Sequence, residues 1–234
     1  MLPTESKGFV PTEDQRPAVT VDVVIFSLVE NDLRVLLVKR RTPPFEGMWA
    51  IPGGFVRPDE SLETAAARKL AEETGVTSVY TEQLYTFGDV SRDPRSRVIT
   101  IAYFALVPHE AIQHQPGRYE SATSWFSLAK LPPLAFDHEK IVDYALQRLR
   151  YKLEYTAVGF RLLPHEFTLT ELQQAYEVVL GEELDKRNFR RKILAAEVIE
   201  ETGKISRESE GRPAKLYHYR DDSNPEVKTR RLFP

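Results

Sequence analysis

The chain has 234 residues, enough for one large domain or two small ones, and its 41% hydrophobic and 29% charged residues exclude an extensively disordered chain. Its 32 basic and 35 acidic residues give a net charge of -3, which excludes a histone-like nucleic-acid binder but not a local basic face. The sequence has no cysteine, which excludes disulfides, zinc–thiolate sites, iron–sulfur clusters and thiol nucleophiles.

The sequence contains no stretch that resembles a targeting segment or a membrane anchor. Residues 1–17 are polar and interrupted by prolines, so we expect a loose N-terminal arm. The longest apolar stretch, Val19 to Val29, contains Asp22 and is much shorter than the ~20 residues that a membrane helix needs. We therefore expect a cytoplasmic protein that does not contact a membrane.

Strands and helices are mixed in the first 154 residues. β-Branched residues predict the strands, and a Pro- and Gly-rich stretch after Lys39 predicts loops. Ser61 and Gly75 are typical residues for the two ends of a helix. Because regular β–α–β units are absent, this part is predicted to be α+β. In chain order we predict strands at Val19–Leu28 and Arg34–Val38, a helix at Ser61–Thr74, strands at Val76–Phe87 and Val98–Val107, a short strand or turn at Trp125-Phe126, and a helix at Phe136–Leu153.

The character of the sequence changes near residue 155. Tyr155–Pro164 is predicted to be a hinge, and helices are predicted at Thr170–Leu180 and Lys186–Glu201. A Gly-containing two-stranded ribbon is predicted over Gly203–Tyr219. Two helices followed by such a ribbon are typical of a winged helix-turn-helix, whose second helix enters the major groove of DNA.

The second of these helices is strongly basic. Residues 186–192 contain five basic and no acidic residues, after Asp185 as a candidate N-cap. Phe189, Ile193 and Leu194 predict an apolar stripe, which leaves the basic side chains outward. Basic residues of the ribbon suit DNA phosphates. The alternatives are a solvated charged face or a winged helix that binds protein. The candidate DNA contacts are Lys186, Arg187, Asn188, Arg190, Arg191, Arg212 and Lys215.

The most specific motif lies between Gly54 and Val76. Glu60 follows Gly54 after five residues, Arg68 follows after seven more, and Leu70, Glu72, Glu73, Gly75 and Val76 complete the pattern. This spacing resembles the Nudix box, which implies an α/β/α sandwich and Mg²⁺-dependent hydrolysis of diphosphates. A solvated acidic helix face explains the glutamates but not the glycines and the arginine at their positions.

One position departs from the Nudix pattern. Positions 69, 72 and 73 share one face of a helix, where three carboxylates would gather Mg²⁺. Position 69 is a lysine in this chain, and its ammonium is expected to pair with Glu72 and Glu73 and to repel the metal. At ~4 Å that repulsion is about 4 kcal/mol at an effective dielectric constant of 20. A doubtful residual Mg²⁺ site at Glu60, Glu72 and Glu73 remains, no residue is assigned a catalytic role, and an ADP-ribose pyrophosphatase stays the alternative.

A candidate ligand loop follows the motif. Residues 88–97 carry three arginines and two aspartates, and arginine forks bind phosphate oxygens in pairs. The loop resembles that of the ADP-ribose-binding branch of the Nudix family, with a solvated surface loop as the alternative. Trp49 is assigned either to base stacking or to the core, and Asp137 either to the pocket or to helix capping. The candidate effector contacts are Lys39, Arg40, Phe55, Arg92, Asp93, Arg95 and Arg97.

The order of Nudix-like domain, basic helix and ribbon resembles the Nudix-related transcriptional regulator family (NrtR), with its arabinose-responsive relatives (AraR), over residues 18–220. The resemblance implies a homodimeric repressor of NAD-metabolism genes. It implies binding to a palindromic double-stranded operator and release when ADP-ribose or a related nucleotide binds, with no required cofactor. A pentose effector is the alternative within the family. The implied domains are an arm at 1–17, a Nudix-like effector domain at 18–154, a linker at 155–165 and a winged helix-turn-helix at 166–234.

Overall fold

A computed structural model describes residues 16–76, 79–109, 120–206 and 213–220 of the chain. The first fifteen residues of the expected arm lie outside these ranges. In chain order the elements are β1 (Ala18–Val29), β2 (Asp32–Arg40), β3 (Trp49–Ala50), β4 (Gly53–Phe55), α1 (Leu62–Thr74), β5 (Tyr80–Phe87), β6 (Val98–Leu106), β7 (Glu120–Ser127), α2 (His138–Tyr155), β8 (Phe167–Thr168), α3 (Leu169–Leu180), α4 (Lys186–Ala195), β9 (Ile199–Ser206) and β10 (Ala214–Tyr219).

Seven of the described strands form one mixed sheet. Its main path runs β3-β2-β1-β6-β5, with β4 paired to β1 and β7 paired to β2. Strands β1 and β6 are parallel, in register from Ala18 opposite Val98 to Phe26 opposite Leu106. Strands β2 and β4 both pair antiparallel with β1, β2 along Phe26–Val29 and β4 along Thr20–Asp22. The predicted strands are thus present, although β5 begins four residues later than predicted and Trp125-Phe126 belongs to an eight-residue strand.

Each face of the sheet is covered by a different helix. Because side chains alternate along a strand, Val21, Val23 and Ile25 share one face of β1 and belong to a core with the buried residues of α1. Val24 and Phe26 point to the other face and belong to a core with α2. This arrangement confirms the α/β/α sandwich that the Nudix resemblance implied.

Helix α1 has the ends that the sequence predicts. The Ser61 hydroxyl accepts a hydrogen bond from the backbone N–H of Thr64 at 3.1 Å, which satisfies one of the free donors of the first turn. Gly75 ends the helix in the left-handed conformation, with φ of 72°, which glycine adopts without steric cost. The motif residues from Arg68 to Gly75 are therefore carried by this helix and its C-cap, and Glu60 lies directly before the N-cap.

The described C-terminal part is a winged helix. Thr168 and Glu171 form a reciprocal capping box at the start of α3, and Asp185 caps α4 by accepting from the N–H of Asn188 at 2.7 Å. Strands β8, β10 and β9 form a three-stranded sheet behind the helices. The predicted helix to Glu201 is wrong, because α4 ends at Ala195 and β9 starts at Ile199.

The segment predicted as a hinge is packed into the core. Residues Ala157–Leu162 form a 3-10 turn, and Val158, Phe160 and Leu162 are buried in it. These side chains belong to one continuous apolar cluster that extends from the sheet through α2 to α3 and α4. The Arg150 guanidinium on α2 donates to the Val179 carbonyl at the end of α3 at 2.8 Å. Among the described residues, no helix is long and apolar enough to cross a membrane.

Candidate functional site

A cavity of about 830 Å³ opens where β1, β4 and α1 meet. Such a volume lies within the range of small-molecule sites. Five of the seven predicted effector contacts line it, and they are Arg40, Phe55, Arg92, Asp93 and Arg95. Its remaining lining includes Asp22, Arg57, Arg68, Lys69, Glu72, Phe136 and His138.

The other two predicted contacts lie outside the cavity lining. The Lys39 ammonium lies 5.9 Å from the centroid of the Trp49 ring. Trp49 in turn packs against Phe126 and the main core. Of the two predicted roles, base stacking or core packing, the structure therefore favours core packing. Arg97 donates to the carbonyls of Gly88 and Asp89 at 2.6 and 3.1 Å, so it ties the end of the loop 88–97 to its start.

Arg92 forms a buried ion cluster at the floor of the cavity. Its Nη2 and Nε donate to the two carboxylate oxygens of Asp137 at 2.8 and 3.1 Å, and Nη2 also lies 3.4 Å from Asp22 Oδ2. Asp137 makes no side-chain cap to α2, which favours its pocket role. Two carboxylates therefore already bind this guanidinium. These ion pairs hold the loop 88–97 against β1 and the start of α2.

His138 completes the floor of the cavity. Its Nδ1 accepts a hydrogen bond from the backbone N–H of Ile51 at 3.1 Å, which requires that this nitrogen carry no proton. Burial lowers the pKa of His138 below its usual value, even though the nearby Asp22 carboxylate opposes this shift. A neutral imidazole thus forms part of the floor at neutral pH.

The mouth of the cavity combines aromatic rings with arginines. The Arg40 guanidinium lies 4.8 Å from the Phe136 ring centroid, and that of Arg95 lies 5.8 Å from the Phe55 ring. Phe55 is 52% exposed, although most large apolar side chains in this domain are buried. Burial opposes ionisation of Asp93, but hydrogen bonds from Arg95 outweigh it and hold the pKa of Asp93 below its usual value. An exposed ring, Phe55, and a half-buried ring, Phe136, beside guanidinium groups suit a ligand that carries both a flat base and phosphates.

The glutamates of the motif are all paired with cations. Arg68 donates to both oxygens of Glu60, at 2.6 and 2.9 Å, and this hydrogen bonding lowers the pKa of Glu60 to about 2. Arg68 also reaches Glu72 at 3.2 Å, as the i, i+4 spacing predicted. The Lys69 ammonium lies 2.9 Å from Glu72 and 3.7 Å from the fully buried carboxylate of Glu73.

These pairs do not fit a divalent metal. Where the Nudix pattern has a third glutamate, Lys69 places an ammonium against the two that remain. Mg²⁺ needs oxygen ligands that are free to approach it at about 2.1 Å. Within the described ranges, no group of three or more His, Cys, Asp and Glu side chains is arranged to hold a metal ion.

The winged helix presents a basic face. Lys186, Arg187 and Arg191 are exposed on α4, as predicted for side chains that face DNA. Arg190 is half-buried and donates to the Thr170 hydroxyl at 3.1 Å. Asn188 is also half-buried and accepts from Arg191 at 2.8 Å.

Two further sequence predictions for this face have different outcomes. Leu194 is predicted to belong to the apolar stripe, but its side chain is 49% exposed. The buried residues of α4 are Phe189 and Ile193. Lys215 lies exposed on β10 and pairs with Glu201 at 2.9 Å, which raises the pKa of Lys215. Arg212 lies outside the described residues.

Comparison with known proteins agrees with this two-part geometry. The profile for the NUDIX domain matches residues 18–145, and the profile for the NrtR DNA-binding winged helix domain matches residues 159–219. A relative from Acinetobacter baylyi, described as an ADPR responsive transcriptional repressor, is 43% identical over 207 residues, which cover 87% of this chain and 82% of the relative. The chain belongs to the NrtR family of Nudix-related transcriptional regulators.

Solved NrtR structures resemble the chain in both parts. The Shewanella oneidensis NrtR complexed with a 27mer DNA is 43% identical, with a TM-score of 0.80, and the match covers 87% of this chain and 94% of that one. The NUDIX domain of S. oneidensis NrtR complexed with ADP ribose is 42% identical, with a TM-score of 0.55, and the match covers 61% of this chain and 94% of that one.

The sequence does not predict every residue of the cavity in this NrtR-family chain. Asp22, Arg57 and Phe136 line it without having been assigned to it. Asp22 carried a signal, since a carboxylate within an otherwise apolar strand is uncommon without a partner. Phe136 has an unusual positive φ of 56°, which no sequence pattern indicates.

Proposed function

We propose that the chain is a transcriptional repressor that leaves its operator when ADP-ribose or a related nucleotide enters the cavity. The observation that carries this proposal is a cavity lined by arginines and two aromatic rings, in a domain that shares one apolar core with a basic winged helix. The A. baylyi relative, which is ADPR responsive, and the NrtR structures with DNA and with ADP ribose support it. The effector domain spans 18–154, the connection 155–165 and the DNA-binding domain 166–234, and the protein acts in the cytoplasm on NAD-metabolism genes.

Within the DNA-binding domain, α4 enters the major groove. Lys186, Arg187 and Arg191 are the exposed cations on this helix and are assigned to phosphates and base edges. Asn188 and Arg190 lie beside them, and Lys215 and Arg212 are assigned to backbone contacts of the wing. A second copy of the chain would present the same helix to the other half of a palindromic site, as a two-fold symmetric dimer requires.

The DNA assignment is tested by the salt dependence of binding. Operator DNA is first selected from a random library with the wild-type protein, and its affinity is then measured by fluorescence anisotropy at several salt concentrations. Each lost phosphate contact lowers the slope of log K against log salt by about 0.9, so Arg187→Ala with Arg191→Ala should lower it by about 2. Lys140→Ala, on the exposed surface of α2, is the control and should leave the slope unchanged. An unchanged slope in the double variant would exclude α4 as the DNA-contacting helix.

In the effector domain, Arg95 and Arg40 are assigned to the phosphates and Phe55 to the base. Arg92 and Asp93 are assigned to holding the loop that carries Arg95, since both engage partners within the protein. Calorimetry with ADP-ribose and arabinose side by side tests the effector class. Binding of ADP-ribose that weakens in Arg95→Ala and releases the operator supports a nucleotide sensor. Binding of arabinose alone would assign the chain to the sugar-responsive relatives.

A hydrolase is the second candidate, because Arg68, Glu72 and Glu73 of the Nudix pattern are kept on α1. We infer that effector sensing needs no cofactor, with any Mg²⁺ confined to weak binding at Glu60, Glu72 and Glu73. Mg²⁺-dependent turnover of ADP-ribose by the purified protein, lost in Glu73→Gln, would establish the hydrolase. Operator release by intact ADP-ribose, without turnover, distinguishes the sensor.

A further inference from the structure

Lys69 is held in an unusual position for a lysine. It is only 6% exposed, whereas lysine side chains usually extend into water. Its aliphatic stem packs on the backbone of Gly54, where an added Cβ would lie 3.5 Å from the lysine Cδ. The packing directs its ammonium between the carboxylates of Glu72 and Glu73, at 2.9 and 3.7 Å.

The buried carboxylate of Glu73 makes this cation necessary. Glu73 is fully buried, and a buried charge is tolerated in a protein only when a partner neutralises it. Lys69 supplies the partner at one turn of the helix, and Arg68 neutralises Glu60 in the same way with two hydrogen bonds. Three carboxylates and two fixed cations therefore leave this face of α1 with little negative charge to attract a further cation.

We propose that the Lys69 ammonium is a tethered counter-ion that replaces a divalent metal in this cavity, so that the diphosphate of the effector is bound by protein cations alone. Lys69 is then the residue that determines metal-independent sensing at this site. This inference rests on the proposed function for its ligand. The part of the inference that concerns Lys69 does not depend on the ligand. It requires only that the Lys69 ammonium occupies the position that a metal ion would need.

The first test measures metal binding without any effector. Mn²⁺ is titrated into the full-length protein and followed by its electron paramagnetic resonance signal. Lys69→Glu restores three carboxylates, and it should bind Mn²⁺ roughly 100-fold more tightly than wild type because ligand charge sets cation affinity. Adding Glu73→Gln should remove that gain. Lys140→Glu, an equal charge reversal at an exposed lysine, should bind no better than wild type.

A second pair of variants covers the case in which Lys69→Glu does not fold. Lys69→Met keeps the stem without the charge, and Lys69→Arg keeps the charge. The Met variant should bind Mn²⁺ about tenfold more tightly than the Arg variant, since only the former removes the cation that lies between Glu72 and Glu73. Equal Mn²⁺ affinity of the two variants, or a tight wild-type site that is lost in Glu73→Gln, would overturn the proposal.

The second test measures ADP-ribose binding by calorimetry in EDTA and in excess Mg²⁺. The wild-type affinity should change by less than about twofold between the two, since a ligand contact that involves no metal cannot depend on it. Lys69→Glu should bind ADP-ribose only with Mg²⁺. A wild-type affinity that rises more than about tenfold with Mg²⁺ would overturn the proposal. If no protein binds ADP-ribose, the proposed function is wrong, and the Mn²⁺ titration still decides the role of Lys69.

Discussion

Two arginines of the same loop should differ sharply in their contribution to stability. Arg92 and Arg95 both pair with aspartates, but Arg92 has a side chain that is 4% exposed whereas that of Arg95 is 45% exposed. Arg92→Met would leave Asp137 and Asp22 buried without their shared cation, and breaking a buried pair from one side costs about 3–5 kcal/mol. Arg95→Met removes a pair in which only the arginine is exposed, but the buried Asp93 carboxylate keeps the backbone N–H of Arg95 as a donor at 3.0 Å, so the cost should be about 1 kcal/mol.

Urea unfolding followed by circular dichroism tests this difference. We expect the free energy of unfolding of Arg92→Met to lie at least about 2 kcal/mol below that of Arg95→Met. Asp137→Asn should recover part of the loss when added to Arg92→Met, with a coupling of about 0.5–3 kcal/mol, because it removes one of the two unpaired charges. Equal unfolding energies for the two arginine variants would refute the conclusion that burial determines their roles.

Three further predictions follow from the same packing. Because burial holds the pKa of His138 below 6.5, the unfolded chain binds more protons below that pH, so stability should fall by up to about 1.4 kcal/mol per pH unit on acidification. Urea titrations between about pH 7.5 and 5.5 measure this slope, and His138→Asn should flatten it. Gly159→Ala would place a Cβ 2.5 Å from a methyl carbon of α2 and should cost about 1–3 kcal/mol in thermal unfolding, whereas Gly88→Ala, with ordinary contacts of 3.7 Å, should cost under about 0.5 kcal/mol. Gly53→Ala would place a Cβ 2.0 Å from an oxygen of Asp22, so ADP-ribose affinity by calorimetry should fall by about tenfold or more, and an unchanged affinity would show that the cavity floor tolerates displacement.

The features that the sequence predicts correctly depend on residues close to one another in the chain. The caps of α1 at Ser61 and Gly75 and the start of α4 after Asp185 require only contacts within three or four residues. The end of α4 is mispredicted because Val198 and Ile199 are buried by β10, which lies more than ten residues further on. A β-branched pair continues a helix pattern as readily as it begins a strand until that partner is known.

The candidate site shows the same division between local and distant determinants. Arg92, Arg95 and Arg97 are equivalent in the sequence, since all three occur in one polar loop. They differ in the structure because Arg92 meets Asp22 and Asp137, which are 70 and 45 residues away, while Arg97 folds back on its own loop. Side-chain identity thus predicts a phosphate-binding loop, but only tertiary packing assigns a role to each arginine.

The continuous core limits the ways in which a structural change at the cavity can reach the winged helix. A flexible linker would allow the two parts to move independently, but residues 157–162 are packed between α2 and α3. Helix α2 spans the distance, since Asp137 binds the cavity floor at its start and Arg150 binds the end of α3 near its other end. A packed core has discrete arrangements rather than continuous ones. If a ligand moves the Arg92 cluster, the packing therefore assigns α2 as the element that transmits the change to α3 through Arg150, and from there to the exposed cations of α4 that we propose contact DNA.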